Sequence, residues 1–236
     1  MRTHPPLKKI KNGGKGHLEV ICGSMFSGKT EELMRRLKRA EYAKLRVLTI
    51  KHHLDDRKHY SCIGSISSHD GRERVAFPIE GTPVGIQKII ELAHVDVDVI
   101  GIDEIQFFPV EIISLVFKLI DSGKYVIVSG LDLDFRGEPF TIMPQLLCLA
   151  DEITKLKAIC VKCGYDAHHT QRIVNGNPAR YDDPTILVGA EECYEARCRD
   201  CFEIEKPGGI KLNKDIDTII QKPAQAWRKQ VAAQAV

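Results

Sequence analysis

The stretch Gly23-Ser24-Met25-Phe26-Ser27-Gly28-Lys29-Thr30 decides how the chain is read. It satisfies G-x-x-x-x-G-K-[ST] at every fixed position. Its flanks agree. Leu18, Val20 and Ile21 form a short apolar run that predicts a buried strand starting at His17. Beyond the loop, Leu33, Leu37 and Ala40 recur at i, i+4 and i+7, which predicts a helix over about 28–44. Glu31 and Glu32 stand in its first turn and Arg35, Arg36, Lys38 and Arg39 later, an order that complements the helix dipole. Between strand and helix, glycines let backbone amides turn inward around a phosphate, and the helix N-terminus adds partial positive charge. Lys29 then reaches the β- and γ-phosphates of a nucleotide, and Thr30 offers its hydroxyl to Mg²⁺.

Outward from the loop, strands are predicted at Arg46–Ile50, Val97–Ile102 and Lys124–Ser129, with helices at Gly85–His94 and Pro109–Asp121. Residues 51–74 are polar and His-rich and read as a long surface loop beside a ligand. Alternating strands and helices predict an α/β fold, a mainly parallel sheet with helices on both faces. Asp103 stands at the end of the apolar strand 97–102, where a second nucleotide element belongs, and its expected partner is Mg²⁺. Strand neighbours point to opposite sides, so Glu104 should face a different pocket. There it suits accepting a proton from an attacking hydroxyl, or equally polarising a water in an ATPase.

The chain has 236 residues, 43% hydrophobic and 28% charged, which excludes disordered and fibrous classes. A net charge of +2 excludes a strongly polyanionic partner. No run approaches 18 apolar residues, so no transmembrane helix is expected. Met1–Gly16 is basic without an apolar stretch, and reads as a flexible tail rather than a secretory signal. Eight cysteines are the unusual number. Without a signal peptide they point to metal ligands or buried thiols rather than disulfides. Cys160-x-x-Cys163 and Cys198-x-x-Cys201 suit a closed, structural Zn²⁺ site clamping the base of an excursion over 164–197. A redox C-x-x-C is the alternative, and the duplicated knuckle argues against it. Cys22, Cys62, Cys148 and Cys193 follow no ligand pattern. The expected organisation is a tail over 1–16, a nucleotide-binding α/β domain over 17–155, and a zinc-binding domain over 156–205 with a β-rich piece at Thr185–Val188. A second tail over 206–236 carries one short helix at Asp215–Gln221.

Five stretches in order carry a resemblance: GSMFSGKT (23–30), SHDG (68–71), DEIQFF (103–108), GLDLDFRGEPF (130–140) and the paired knuckles. From about residue 17 to 203 the chain resembles thymidine kinases of the zinc-containing cytosolic (type II) family. The resemblance implies a RecA-like P-loop core with a small zinc-held lasso. It implies transfer of the ATP γ-phosphate to the 5′-hydroxyl of thymidine, giving dTMP for nucleotide salvage and DNA synthesis. Glu104 takes the role of catalytic base, while Lys29 and Arg57 stabilise the moving phosphoryl group. ATP contacts fall on Gly23, Ser24, Met25, Phe26, Ser27, Gly28, Lys29, Thr30, Asp55, Asp56, Arg57, Asp103, Glu104, Ile105 and Gln106, with Mg²⁺ on Thr30 and Asp103. The thymine pocket falls on Met25, Phe107, Leu131 and Phe135, with Thr170 near the 5-methyl. Backbone around Thr185, Ile186, Leu187, Val188 and Gly189, together with Tyr194, binds the pyrimidine edge. Zinc is implied on Cys160, Cys163, Cys198 and Cys201. A cytoplasmic homotetramer with dTTP feedback is implied as well.

The sequence departs from the family at Gly189-Ala190, where Gly-Gly is usual, at Ile105, where a smaller residue is common, and in the loop 56–67. The rival reading is a P-loop ATPase whose zinc module binds nucleic acid. No basic stripe with interleaved aromatics runs through 155–205, and Glu191, Glu192, Glu195 and Glu203 make that segment acidic. Neither a nucleic acid nor a membrane is an expected partner.

Overall fold

The structure is a computed structural model and describes residues 14–53, 65–67, 73–93, 96–185 and 192–204. The strands are β1 His17–Cys22, β2 Val47–His52, β3 Ser65–Ser67, β4 Glu73–Val75, β5 Phe77–Ile79, β6 Val99–Asp103, β7 Tyr125–Gly130 and β8 Glu152–Lys155. After them come β9 Ala158–Ile159, β10 Asp166–Ala167, β11 His169–Val174, β12 Asn177–Pro178 and β13 Glu192–Arg197. The helices are α1 Lys29–Tyr42, α2 Pro83–Ala93, α3 Glu111–Asp121 and α4 Met143–Leu149.

Six strands pair in the order β5-β2-β6-β7-β1-β8. Every pairing is parallel. Alternation along each strand sorts the side chains between two cores. Leu18, Val20, Ile100, Ile102, Val126 and Val128 pack with Ile89 of α2, Ile112 and Val116 of α3, and Met143 and Leu146 of α4. Ile21, Val99 and Ile127 face the other way, against Leu33, Leu37 and Ala40 of α1. The expected α/β architecture with helices on both faces is therefore present. Gly101 sets the closeness of α1: a Cβ there would lie 2.5 Å from a Leu37 methyl carbon. Leu37 has no exposed surface, so Leu37→Ala is expected to cost about 2–5 kcal/mol of folding stability, read from urea unfolding.

A buried charge network ties α1 to the sheet. Arg36 donates to Glu19 of β1, to Glu32 one helical turn back, and to Thr154 of β8. Burial raises the Glu32 carboxyl, but bonds from Arg35 and Arg36 outweigh it and hold the group at about 2.

Several elements differ from expectation. Within 51–74, read as a loop, β3 and β4 form an antiparallel pair that buries Ile66 against α1. β2 extends to His52, and Lys51 and His52 are buried despite their polarity. β5, α4 and β8 were not foreseen. The alternation Glu-Ile-Thr-Lys in β8 reads as surface, and it belongs to an edge strand with Ile153 half exposed. Past Lys155, β9 pairs with β10, while β11 lies between β12 and β13. Thr185 is described but lies in no strand, and 186–188 and 215–221 fall outside the described residues. Among the described residues, no helix is long and apolar enough to cross a membrane.

Two compact units divide the chain: 14–179 with 185–203, and 180–184 with Ile204, among the described residues. The first holds every element named above. In the second, Arg180 N–H donates to Asp183 Oδ2 at 2.9 Å while Asp183 N–H donates to the Arg180 carbonyl at 3.0 Å, closing a turn.

Candidate active site

In a parallel sheet, ligands bind beyond the carboxyl ends of the strands. β1, β6 and β7 all end at one such edge. β1 runs into the glycine loop. Gly23 has φ 145°, and a Cβ there would sit 2.4 Å from the Leu156 carbonyl oxygen, so no side chain fits. Gly28, at φ 83°, is the N-cap of α1, and no side chain caps the helix. A helix N-terminus of this kind carries partial positive charge and suits an anion. Lys29 is buried, with Nζ bonded to the Ser24 carbonyl at 2.9 Å. Ser27 Oγ is buried with no hydrogen-bond partner among the described residues. Loop amides, an ammonium and an orphan hydroxyl together fit a polyphosphate.

At the end of β6, Asp103 is 1% exposed. Its Oδ2 accepts from Thr30 Oγ1 at 3.0 Å, and its Oδ1 accepts from Ser129 Oγ and the Glu104 N–H. Neighbouring oxygens around an octahedral Mg²⁺ lie about 3 Å apart. The Thr30–Asp103 pair fits that spacing.

Glu104 does not continue the strand. It has φ 52° and ψ 43°, left-handed backbone, and leads a 3₁₀ turn over Ile105–Phe107. The two carboxylates thus separate through a turn and not through strand alternation. Glu104 Oε2 accepts from Gln106 Nε2 at 2.5 Å. Ile105 belongs to the core, so its side chain is not part of the site. Phe108 is also core, 2% exposed, while Phe107 is half-buried with its ring edge-on to Phe140 at 5.9 Å.

His52 packs against both of those phenylalanines, at 5.7 Å and 4.8 Å between ring centroids. Burial, then the neighbouring His53, push its imidazole from 6.5 down to about 4, with the Glu104 carboxylate pulling the other way. The unfolded chain takes up this proton near 6.5 and the folded chain does not until about 4. Stability is therefore intact above 6.5 and falls through that window by on the order of 3 kcal/mol. His52→Phe should show a shallower fall than the wild type in urea midpoints between pH 6.5 and 4.5. Equal slopes would reject the assignment.

The four cysteines of the two knuckles converge, in an arrangement compatible with zinc. The Cys160, Cys163, Cys198 and Cys201 sulfurs lie within 4.8 Å of one another, and Cys163 Sγ is 3.5 Å from Cys198 Sγ. Sulfurs at tetrahedral Zn²⁺ corners lie about 3.8 Å apart. Burial raises the Cys160 thiol, but amides of Cys198, Cys163 and Lys162 outweigh it and bring it to about 6, toward the thiolate that binds metal. Of the other cysteines, Cys22 is buried and its thiol pushed up to about 11 by burial and then by Asp132, and Cys148 is exposed.

The zinc module reaches the glycine loop. Met25 N–H donates to Thr170 Oγ1 of β11 at 3.0 Å, so two residues expected at the pocket do meet. Leu131 is half-buried and its N–H donates to Gln106 Oε1 at 3.1 Å. Phe135 is buried, with the Arg136 and Arg172 guanidiniums over its ring at 4.6 and 5.0 Å. Arg136 Nη1 also donates to Thr185 Oγ1 at 2.8 Å and to Asp134 Oδ2 at 3.0 Å. Tyr194, on β13, is half-buried opposite Arg172. Asp55, Asp56, Arg57, Ile186, Leu187, Val188 and Gly189 lie outside the described residues. His52, Arg136 and Arg172 were missed. Arg136 stands inside GLDLDFRGEPF and was open to notice, whereas nothing local marks Arg172 as buried.

Comparison with known proteins agrees with this geometry. A sequence model of the family described as thymidine kinase matches residues 16–202. A curated protein named thymidine kinase, from Coprothermobacter proteolyticus (strain ATCC 35245 / DSM 5265 / OCM 4 / BT), is 56% identical over 189 residues. The match covers 80% of this chain and 91% of that protein. No such support falls to the ATPase reading. The chain belongs to the thymidine kinase family.

Proposed function

We infer that the enzyme transfers the γ-phosphate of ATP to the 5′-hydroxyl of thymidine, yielding ADP and dTMP. The observation that carries this reading is the pair of adjacent carboxylates with separate tasks. Asp103 faces Thr30 and the phosphate loop, and Glu104 turns away toward Gln106. In the step proposed, the 5′-oxygen attacks the γ-phosphorus, its bond to the β–γ bridging oxygen breaks, and ADP leaves. Glu104 accepts the hydroxyl proton. The loop amides and Lys29 hold the phosphates, and Arg57 is the further cation proposed for the moving phosphoryl group. Thr30 and Asp103 would hold Mg²⁺, which when bound neutralises phosphate charge.

For the nucleoside, Phe107 is the half-buried aromatic ring suited to stacking. Met25, Leu131 and Thr170 suit the methyl side. Arg136 would hold the start of the covering segment through Thr185, with Tyr194 and the backbone of 186–189 on the pyrimidine edge. Zinc on the four cysteines would fasten that lasso and take no part in the chemistry. The domain limits 17–155 and 156–205, a homotetramer, dTTP feedback and a cytoplasmic location belong to the same proposal. The test is ADP release from the zinc-loaded enzyme with a panel of nucleosides, DNA and RNA. Stimulation by thymidine supports the reading. Stimulation by a nucleic acid alone would replace it with the ATPase alternative.

A further inference from the structure

We propose that Gln106 is a positioning residue for the base, holding the Glu104 carboxylate and tying it to the first residue of the thymine-side segment. This rests on the reading of Glu104 as proton acceptor. Gln106 is 2% exposed, and its amide is used at both ends. Nε2 donates to Glu104 Oε2 at 2.5 Å, and Oε1 accepts from Leu131 N–H at 3.1 Å. A backbone N–H can only donate, so Leu131 fixes which end of the amide is oxygen and leaves the NH₂ for the carboxylate. The main chain is fixed as well: the Gln106 carbonyl accepts from Thr141 Oγ1 at 2.7 Å.

The surroundings are shaped around this amide. β7 ends in Gly130, where a Cβ would fall 2.5 Å from Gln106 Oε1. Any other residue there would displace the amide. Glu104 itself sits in left-handed backbone, which a non-glycine residue keeps only where its surroundings over-determine it. Gln106 supplies such a restraint at the side-chain end. A base is effective only within hydrogen-bond reach of its proton, and a displacement near 1 Å costs about 10²-fold. Holding the carboxylate should therefore appear in turnover and not in binding.

Two variants separate the two ends of the amide. Gln106→Met removes both bonds at similar size. Gln106→Glu keeps an oxygen for Leu131 N–H but no longer donates an amide proton to Glu104. Each, as zinc-loaded enzyme, is expected to lose about 10–100-fold in kcat, and for Gln106→Glu, which keeps the Leu131 bond, KM for thymidine stays within about two-fold. A change in thymidine KM with kcat unchanged would overturn the proposal, making Gln106 a pocket-shaping residue. So would wild-type kcat in Gln106→Glu, which decides the matter even if Gln106→Met fails to fold. Glu104→Gln, measured beside them, keeps the two readings distinct. If it is inactive while the Gln106 variants turn over normally, only the positioning role falls. If it turns over normally, the base reading falls.

Discussion

Glu104→Gln is expected to lower kcat by about 10²–10⁴-fold, the usual contribution of a general base, while thymidine binding by isothermal titration calorimetry is unchanged. The substitution is well suited to separate proton transfer from geometry. A glutamine side chain keeps an oxygen to accept from Gln106 Nε2, so the bond that orients position 104 is retained. The left-handed backbone there is equally open to glutamine. What is lost is the ability to take a proton from the 5′-hydroxyl. Nucleotide binding should also persist, because Asp103, Thr30 and Lys29 keep their own partners. Undiminished turnover would remove Glu104 from the chemistry and leave it a turn residue. Loss of binding together with turnover would assign it to substrate recognition.

The second large effect is expected on removing zinc. Among the described residues, the module from Ala158 to Cys201 has only a small apolar cluster of its own. Its buried cluster consists of Ala158, Cys160, Ala167, Ala196 and Cys198, with Cys201 packed against it. Three alanines and metal-binding cysteines provide too little apolar surface for independent stability. Structural Zn²⁺ contributes about 10–16 kcal/mol in small metal-bound modules, comparable with the whole stability of an ordinary domain. Chelation should therefore disorder β9, β10, β11 and β13. Thr170 would be lost from its place at Met25 N–H, and with it the anchorage of the segment proposed to cover thymidine. Thymidine binding should become undetectable by calorimetry. The parallel sheet should survive, since its two cores are built from residues 18–156. The far-UV circular dichroism of helices should persist. Metal-free enzyme that binds thymidine as the zinc-loaded form does would reject the fastening role.

Much of the site was legible because backbone geometry and metal chemistry dictate its residue types. Gly23 must be glycine where Leu156 crowds it, and Lys29 and Thr30 follow at the helix start. Four cysteines in two knuckles leave few alternatives to one metal ion. Apolar runs such as Leu18–Ile21 mark strands covered on both faces. Edge and satellite elements carry no such mark. Glu152–Lys155 is a strand because it pairs with β1, and Ser65–Ser67 because Ile66 reaches the α1 core. The place of Asp103 at a strand end is legible in the apolar run before it. The divergence of Glu104 from Asp103 is expected from alternation but arises otherwise: β6 stops at Asp103 and turns through a left-handed residue. His52 and Arg172 were missed because polar residues on strands usually face solvent, and here tertiary packing buries them.

The proposed reaction moves the γ-phosphate of ATP to the 5′-oxygen of thymidine. Incubating zinc-loaded enzyme with ATP, Mg²⁺ and thymidine and following ³¹P NMR tests it most directly. The expected result is a thymidine 5′-phosphomonoester signal growing in step with ADP, with no inorganic phosphate. ADP and inorganic phosphate appearing at the same rate with and without thymidine, and no phosphomonoester, would contradict it.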